Sequence, residues 1–149
     1  MEPISLQRYL HEHIPLSQAM GAAVREASLE RVTLSAPLAP NINHRDTVFG
    51  GSASAVAILS AWALLYLRLT HERLDSRVVI QRNTMVYERP IIGDFTASSV
   101  MPAAADWQRF IETLKRKRRA RISVGAVLHC GGEEVGKLEG DFVALMVGT

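Results

Sequence analysis

Residues 47–67 read TVFGGSASAVAILSAWALLYL, an uncharged and apolar run around which the rest of the chain must be arranged. The run is about as long as the roughly 20 residues that cross a bilayer. A helix that is apolar on all sides lies either in lipid or at the centre of a protein. Because two glycines open the run, serines interrupt it and no second such run exists, we interpret residues 51–68 as a central buried helix.

The segments around this helix alternate between apolar and polar residues, as half-buried strands do. The predicted strands are residues 25–36, 78–87, 95–101, 120–130 and a return strand that ends at Met146. Gly131-Gly132 separates the last two strands and is a two-residue hairpin signal. Neighbouring strands are mostly joined by short turns, so the sheet is predicted to be mainly antiparallel.

Two shorter helices are predicted outside the central one. Ser5 is a candidate N-cap for the first, and Pro15 is expected to end it. Asp106 is a candidate cap for the second. The apolar face of that second helix recurs at helical spacing in Trp107, Phe110, Ile111 and Leu114.

This order of elements predicts an α+β fold in which one long apolar helix lies in a strongly curved sheet of about five strands. We expect residues 1–149 to form a single domain. Five strands cannot enclose the helix completely, so one side of it needs another cover. A homodimer is the natural completion, and two dimers could pair into a tetramer.

Composition excludes several classes of protein. A chain of 149 residues with 48% hydrophobic and 21% charged residues is neither disordered, collagen-like nor a coiled-coil rod. The single cysteine, Cys130, excludes an internal disulfide and a cysteine-rich zinc module. Five histidines without ligand spacing indicate no metal, and we expect no cofactor. A lone thiol and an N-terminus without a signal-peptide pattern favour the cytoplasm.

The net charge of +2 is small, but positive charge is concentrated in residues 115–121, KRKRRAR. Lys115 and Arg118 are candidates for binding the phosphates of coenzyme A or an acidic acyl carrier protein. The run also fits a solvated helix end, where cations are favoured by the dipole. Few aromatic residues are available to stack bases and no recognition-helix pattern exists, so nucleic acid is not an expected partner.

The candidate site is the stretch 41–52, NINHRDTVFGGS, which leads into the central helix. The first N–H groups of a helix have no internal partner, and the helix dipole there favours negative charge. Gly50 and Gly51 would leave those groups open to a ligand, so an acyl carbonyl could be polarised and its oxyanion stabilised. The alternative is that the two glycines only allow the helix to pack closely under the sheet.

The pattern N-x-N-x-x-x-T-x-F-G-G-S, followed by A-x-L-x-A-W at 57–62, resembles the hotdog-fold thioesterases. More narrowly, it is similar to the thioesterase family found as the C-terminal domain behind a GNAT-type acetyltransferase. The stretches G-A-x-V-x-E-A at 21–27, A-P-L-x-P-N at 36–41 and Y-x-x-P at 87–90 also fit. The resemblance covers nearly the whole chain. No acetyl transfer is implied, because that half is absent here.

The resemblance implies hydrolysis of a thioester, with the Gly50 N–H in the oxyanion hole beside Gly51. It also implies that Asn43 positions substrate or water. The chain departs from the wider family twice. Phe49 replaces the histidine before the glycines, and Ile58 occupies the position of the helix acid that many of those enzymes use. Around the start of the central helix, Phe49, Ser52 and Ser54 are expected to contact substrate.

An isoleucine cannot act as a base, so the acid or base must come from elsewhere. Asp46 is the nearest carboxylate, and an ionised Asp46 could orient water beside the thioester. It could equally be only a turn or N-cap residue. The other candidates are a Ser52 or Ser54 nucleophile with His44 as base, and Glu88 from a partner chain.

The leading functional hypothesis is hydrolysis of an acyl thioester, carried by coenzyme A or by an acyl carrier protein. The absence of the helix acid keeps a second hypothesis open, a non-catalytic module that binds acyl-CoA or regulates. A hotdog hydratase or dehydratase ranks last, because its paired Asp/His motif is not found.

Overall fold

The computed structural model describes residues 1–148 and contains four α-helices and six strands in this part of the chain. The helices are α1 (Pro3–His13), α2 (Pro15–Ala19), α3 (Gly50–His71) and α4 (Ala104–Lys117), with a 3-10 turn at Ala39–Asn41. The strands are β1 (Ala23–Ala27), β2 (Arg31–Ala36), β3 (Ser76–Tyr87), β4 (Phe95–Val100), β5 (Arg119–Cys130) and β6 (Glu133–Met146).

All six strands form one antiparallel sheet in the order β1-β2-β4-β5-β6-β3. The prediction of a single strand over residues 25–36 is wrong, because residues 28–30 form a tight turn. The Ser28 hydroxyl oxygen accepts the N–H groups of Glu30 and Arg31, and the Ser28 N–H donates to the Arg31 carbonyl. The segment is therefore a hairpin of β1 and β2, which raises the strand number from about five to six.

Helix α3 packs against the sheet and forms the centre of the core, as the sequence predicts. It is longer than residues 51–68 and continues to His71. Although α3 is long and apolar enough to cross a membrane, 61% of its most apolar window is buried inside the protein. The side away from the sheet stays partly open, along a stripe of half-buried residues. That stripe comprises Ala55, Ile58, Trp62 and Tyr66.

Two of the predicted helix starts are wrong. Helix α1 begins at Pro3 with Glu2 as its N-cap, because proline fits the first helical turn, so Ser5 lies inside the helix. The N-cap of α4 is Ala103, and Asp106 lies in the first turn, where it pairs with Arg109 at 3.6 Å. The predicted apolar face of α4 is buried. Both residues of the Gly131-Gly132 turn have positive φ, as the predicted hairpin requires.

The two edges of the sheet differ. The β1 edge is covered by α1, because the Gln7 amide oxygen accepts the Val24 N–H at 3.0 Å and the His11 ring bonds the Ala22 carbonyl at 2.8 Å. On the other side β3 bonds only β6, so within residues 1–148 the outer edge of its twelve residues is open. Long open edges are templates for another chain.

Candidate functional site

The start of α3 is held by backbone bonds rather than by a capping side chain. Phe49 is the N-cap residue, and its N–H donates to the Asn41 carbonyl at 2.7 Å. Its carbonyl accepts the N–H groups of Ser52 and Ala53. Across the described residues, no protein acceptor takes the N–H of Gly50 or Gly51. Two donors are therefore left free at the positive end of a 22-residue helix.

The two glycines have different neighbours. A Cβ on Gly51 would collide with the Phe49 ring, whose Cδ2 would lie 3.1 Å away. A Cβ on Gly50 would meet only ordinary contacts of 3.4 Å with the Tyr87 ring. Both contacts are with side chains rather than backbone, and Phe49 is 58% exposed and can move aside, so close packing alone does not require a glycine at either position.

A cavity of about 290 Å³ lies between α2, the 3-10 turn and the start of α3, and we call it the α3-start cavity. Its walls are Leu16, Ala19, Met20, Pro40, Asn41, Phe49, Gly51, Ser52 and Ala55. The structure thus brings three of the predicted site residues, Phe49, Gly51 and Ser52, to one cavity. Ser54 is half-buried on α3 and does not line it.

Asn43 lies in the adjoining loop, and its side chain is occupied there. Its Oδ1 accepts the N–H groups of Arg45 and Thr47 at 2.8 and 3.2 Å, and its Nδ2 donates to the Thr47 hydroxyl at 2.9 Å. Such bonds from an asparagine to its own loop stabilise a turn. Asn43 does not line the α3-start cavity.

Asp46 lies exposed in the same turn, with a positive φ of 62°. Its N–H donates to the Asn43 carbonyl at 3.3 Å. Asp46 is not the N-cap of α3, since Phe49 holds that position. Its carboxylate is not part of the cavity wall.

Asn41 lies in the predicted stretch 41–52, although no role could be assigned to it from the sequence. Its side chain is only 2% exposed, and its Nδ2 donates to the carbonyls of Met20 and Pro37 at 2.9 and 2.8 Å. Its Oδ1 has no hydrogen-bond partner among the described residues. The only sequence signal for it was its place in the N-x-N pattern.

Glu88 could be considered as a base besides Asp46, but it does not lie on α3, whose sequence contains no Asp or Glu. Ile58 sits half-buried on the open stripe of the helix. Glu88 follows the end of β3, where a hydrogen bond with Glu134 raises its pKa. Glu88 is exposed to solvent and lies outside the α3-start cavity.

The basic run lies at the opposite end of the sheet from Gly50. Arg118 ends α4 and donates to the Gly148 carbonyl at 2.7 Å, while Lys115 is exposed. The next residue, Arg119, is in register with Leu145 and thereby with Arg77 of β3. Arg77 and Tyr87 are ten residues apart on β3, or about 33 Å at 3.3 Å per residue. Within one chain, Lys115 and Arg118 are therefore remote from the start of α3.

A larger cavity of about 720 Å³, the aromatic cleft, lies at the C-terminal end of α3. Its rings form a stack in which Tyr9 lies 4.0 Å from His13 and 4.4 Å from Tyr66, and Tyr66 lies 5.5 Å from Trp62. The pKa of Tyr66 is raised, mainly because its hydroxyl is partly buried and secondly because Tyr9 is close to it. Arg77 lines the same cleft, so the cleft combines aromatic rings with a positively charged residue.

Two of the histidines, His11 and His13, make separate hydrogen bonds to the backbone. His11 bonds the Ala22 carbonyl and His13 bonds the Tyr9 carbonyl. In the part of the chain that the structure describes, no three His, Cys, Asp or Glu side chains come together as metal ligands would.

Comparison with known proteins identifies the family. The sequence profile described as "Putative thioesterase (yiiD_Cterm)" matches residues 4–146. A protein of unknown function from Chlorobaculum tepidum shares 28% identity with a TM-score of 0.92, covering 97% of this chain and 94% of its own.

A second crystal structure, titled a "putative thioesterase" from Shewanella oneidensis, is 26% identical over 96% of both chains, with a TM-score of 0.85. A thioesterase from Haemophilus influenzae shares only 10% identity but has a TM-score of 0.77, covering 98% of this chain and 92% of its own. That likeness shows the fold alone. Because the family profile spans nearly the whole chain, this protein belongs to the yiiD C-terminal thioesterase family and has the hotdog fold.

Proposed function

We propose that this protein hydrolyses an acyl thioester, carried by coenzyme A or an acyl carrier protein, with the carbonyl oxygen bound at Gly50 and Gly51. The observation that carries the proposal is the pair of free N–H groups at the uncapped start of α3, beside the α3-start cavity. Backbone donors at a helix N-terminus stabilise an oxyanion as it forms.

The reaction requires one attacking water. Its oxygen forms a bond to the carbonyl carbon while the C=O electron pair moves onto the oxygen held by the two N–H groups. The pair then returns, the C–S bond breaks and the thiolate leaves. One proton of the water is released, to Asp46 or directly to solvent. Asn43 supports this step from a distance, by holding the turn that positions Phe49.

The assembly is proposed to be a homodimer formed through β3. Two observations favour that edge: it is open, whereas α1 covers β1, and it exposes apolar side chains at Val79 and Val86. The half-buried stripe of α3 would be covered at the same time, and pairs of dimers could form a tetramer.

Antiparallel pairing of two β3 strands would combine parts of both chains into each site. The Ser76 end of one strand would lie beside the Tyr87 end of the other. The aromatic cleft, Lys115 and Arg118 of one chain would then approach Gly50 of the second copy. Those cations would face the phosphates of the thioester carrier. Glu88 lies at the same end of the sheet as the start of its own α3. Under this pairing it would therefore lie near its own Gly50 and far from the Gly50 of the partner chain.

A non-catalytic acyl-CoA-binding module is the second candidate. It is favoured by the lack of a carboxylate on α3 and by the full use of the Asn43 amide within its own turn. Such a module would bind the thioester at the same place and leave it intact.

One experiment separates the two candidates. Purified protein is mixed with acyl-CoAs of graded chain length and with acylated carrier protein, and a thiol reagent detects the released thiol. Hydrolysis of any member supports the enzyme. Tight binding by calorimetry without thiol release from any substrate would establish the binding module instead.

A further inference from the structure

Within residues 1–148, the side-chain oxygen of Asn41 is an acceptor without a donor. Both hydrogens of its amide are used, by the Met20 and Pro37 carbonyls, and this fixes which end of the amide is the oxygen. The residue is 2% exposed, so bulk water does not reach Oδ1 freely. Buried polar atoms are nearly always hydrogen-bonded, to protein, ordered water or ligand. The species that satisfies this oxygen must therefore bring an N–H or O–H group.

The position of Asn41 indicates what that species does. Asn41 lines the α3-start cavity together with Gly51 and Ser52, at the end of the helix that carries the free N–H groups. The other walls of the cavity are largely apolar, so polar groups there are few. Asn41, with its unpartnered acceptor, and Gly51, with its free backbone donor, thus line the same cavity, and Gly50 is the next residue.

We propose that Asn41 Oδ1 accepts a hydrogen bond from the water that attacks the thioester, an inference that rests on the proposed hydrolysis. At the reacting centre, a thioester has a carbonyl and a sulfur but no N–H or O–H. Of the groups that take part in bond making and breaking, only water can donate to Oδ1, since the nearest N–H of a pantetheine carrier lies two carbons beyond the sulfur. A bond from one O–H orients the oxygen lone pair toward the carbonyl carbon, while the second O–H proton is released as the C–O bond forms.

This role differs from that of a general base. An amide oxygen does not accept the proton, so Asn41 touches the nucleophile and aligns it while the proton goes to solvent or to a carboxylate. The assignment also explains how a chain with isoleucine at position 58 can still hold a water. Asn43, whose amide is fully occupied, does not need to supply that contact.

The test compares Asn41→Ala, Asn41→Asp and a control, Ser99→Ala. Ser99 is also fully buried and its hydroxyl bonds that of Ser60, so its loss lowers stability away from the cavity. Misplacement of a reacting group costs roughly 100-fold, so we expect Asn41→Ala to lower kcat by about that factor with KM nearly unchanged. Ser99→Ala should lower the melting temperature and retain wild-type kcat.

Asn41→Asp adds a pH-dependent readout, and its melting temperature at each pH separates a lost contact to water from a disturbed fold. When protonated, an aspartic acid resembles asparagine in shape and keeps an acceptor oxygen, whereas the ionised form faces the Met20 and Pro37 carbonyls. We expect its kcat to recover toward low pH relative to Asn41→Ala, with a pH limb that wild type lacks. This variant also serves if Asn41→Ala does not fold.

The outcomes separate this inference from the proposed function. An inactive wild-type protein would overturn hydrolysis itself. Active wild type with unchanged kcat in folded Asn41→Ala would overturn only the role of Asn41. So would an Asn41→Asp variant whose loss of kcat is independent of pH.

Discussion

The Tyr87 hydroxyl donates a hydrogen bond of 2.9 Å to the carbonyl oxygen of Gly50, and this bond joins the open edge strand to the start of α3. A peptide group is planar and trans, so the Gly50 carbonyl and the Gly51 N–H point in opposite directions. A bond that holds the carbonyl therefore also orients the donor proposed for the oxyanion. Tyr87 is in this way a positioning residue for Gly51.

Removing that hydroxyl should affect catalysis more than stability. Tyr87 is 55% exposed, so we expect Tyr87→Phe to cost no more than about 1 kcal/mol of the free energy of unfolding. We expect kcat to fall while KM for the acyl-CoA stays the same. Urea unfolding and steady-state kinetics on the same preparation measure both. An equal kcat in the two proteins would show that the helix alone orients Gly51.

The Gly50 N–H can be deleted without disturbing the helix. Gly50 is the first residue of α3, where proline is favoured, and Phe49 already has the extended backbone that precedes proline. Gly50→Pro should therefore fold and lose roughly 10²–10³-fold in kcat, as expected for one oxyanion donor.

Gly50→Ala is the matched control for that substitution. It keeps the N–H, and its Cβ would meet the Tyr87 ring at an ordinary contact distance of 3.4 Å. We expect nearly wild-type turnover. If Gly50→Pro and Gly50→Ala lost activity equally, the carbonyl would not be bound by this N–H.

Features of the fold that are encoded by local patterns can be predicted from the sequence, and features that depend on other contacts cannot. The central helix and the Gly131-Gly132 hairpin follow from periodicity and turn chemistry within a few residues. The β1–β2 turn did not, because no glycine or proline marks the reversal between Ala27 and Arg31. Only the hydrogen bonds of the Ser28 side chain reveal that the chain reverses there.

The candidate site shows the same limit. The glycines at the start of α3 could be predicted because any helix leaves its first N–H groups free. The burial of Asn41 could not, because one of its carbonyl partners, that of Met20, lies 21 residues away in sequence. Conversely, the tight turn around Asn43 is local in sequence. The spacing of its residues still does not reveal that the Asn43 amide already has its hydrogen-bond partners within the turn.

Oligomeric state is predicted to depend on β3. The wild-type protein should sediment as a dimer at micromolar concentration, and lysine on an edge strand opposes pairing. The double variant Val79→Lys, Val86→Lys should shift the protein toward monomer and lower thiol release, because each proposed site needs both chains. Sedimentation of folded wild type as a monomer would contradict the assembly.

Val100→Lys is the control for added surface charge. Val100 on β4 is 50% exposed, compared with 51% for Val79, but β4 is an interior strand. We expect this variant to remain dimeric. Dissociation of both variants alike would indicate a general effect of charge rather than pairing through β3.

The Glu88–Glu134 pair predicts a pH dependence of stability. Their hydrogen bond raises the pKa of Glu88, so the folded protein holds this proton more tightly than the unfolded chain. The stabilising contribution is complete below the ordinary pKa of glutamate, about 4.3, and is lost as pH rises through the raised value. Wild type should be most stable relative to Glu88→Gln near pH 4, and this advantage should vanish toward pH 7.

Thermal melts across that pH range provide the measurement. The effect should be small because both side chains are exposed to solvent. Glu134→Gln should reproduce it, since it removes the other half of the same bond. Melting temperatures of wild type and Glu88→Gln that run parallel at every pH would contradict the shared proton.

Asp46 either takes part in proton transfer or only forms the turn. Its φ of 62° is a conformation that asparagine and glycine also adopt, so Asp46→Asn and Asp46→Gly should both keep the fold. If the carboxylate accepts the proton of the attacking water, both variants should lose roughly 10²–10⁴-fold in kcat. The two losses should be equal, because both variants lack the carboxylate. The polar side chain that Asp46→Asn keeps should make no difference. The measurement is turnover between pH 5 and pH 9, about two units either side of neutrality. It is made on variants with wild-type melting temperatures and decides between the two roles of Asp46. Unchanged turnover would make Asp46 a turn residue and leave solvent as the proton acceptor, with Asn41 and the two glycine N–H groups as the groups that act on the reactants.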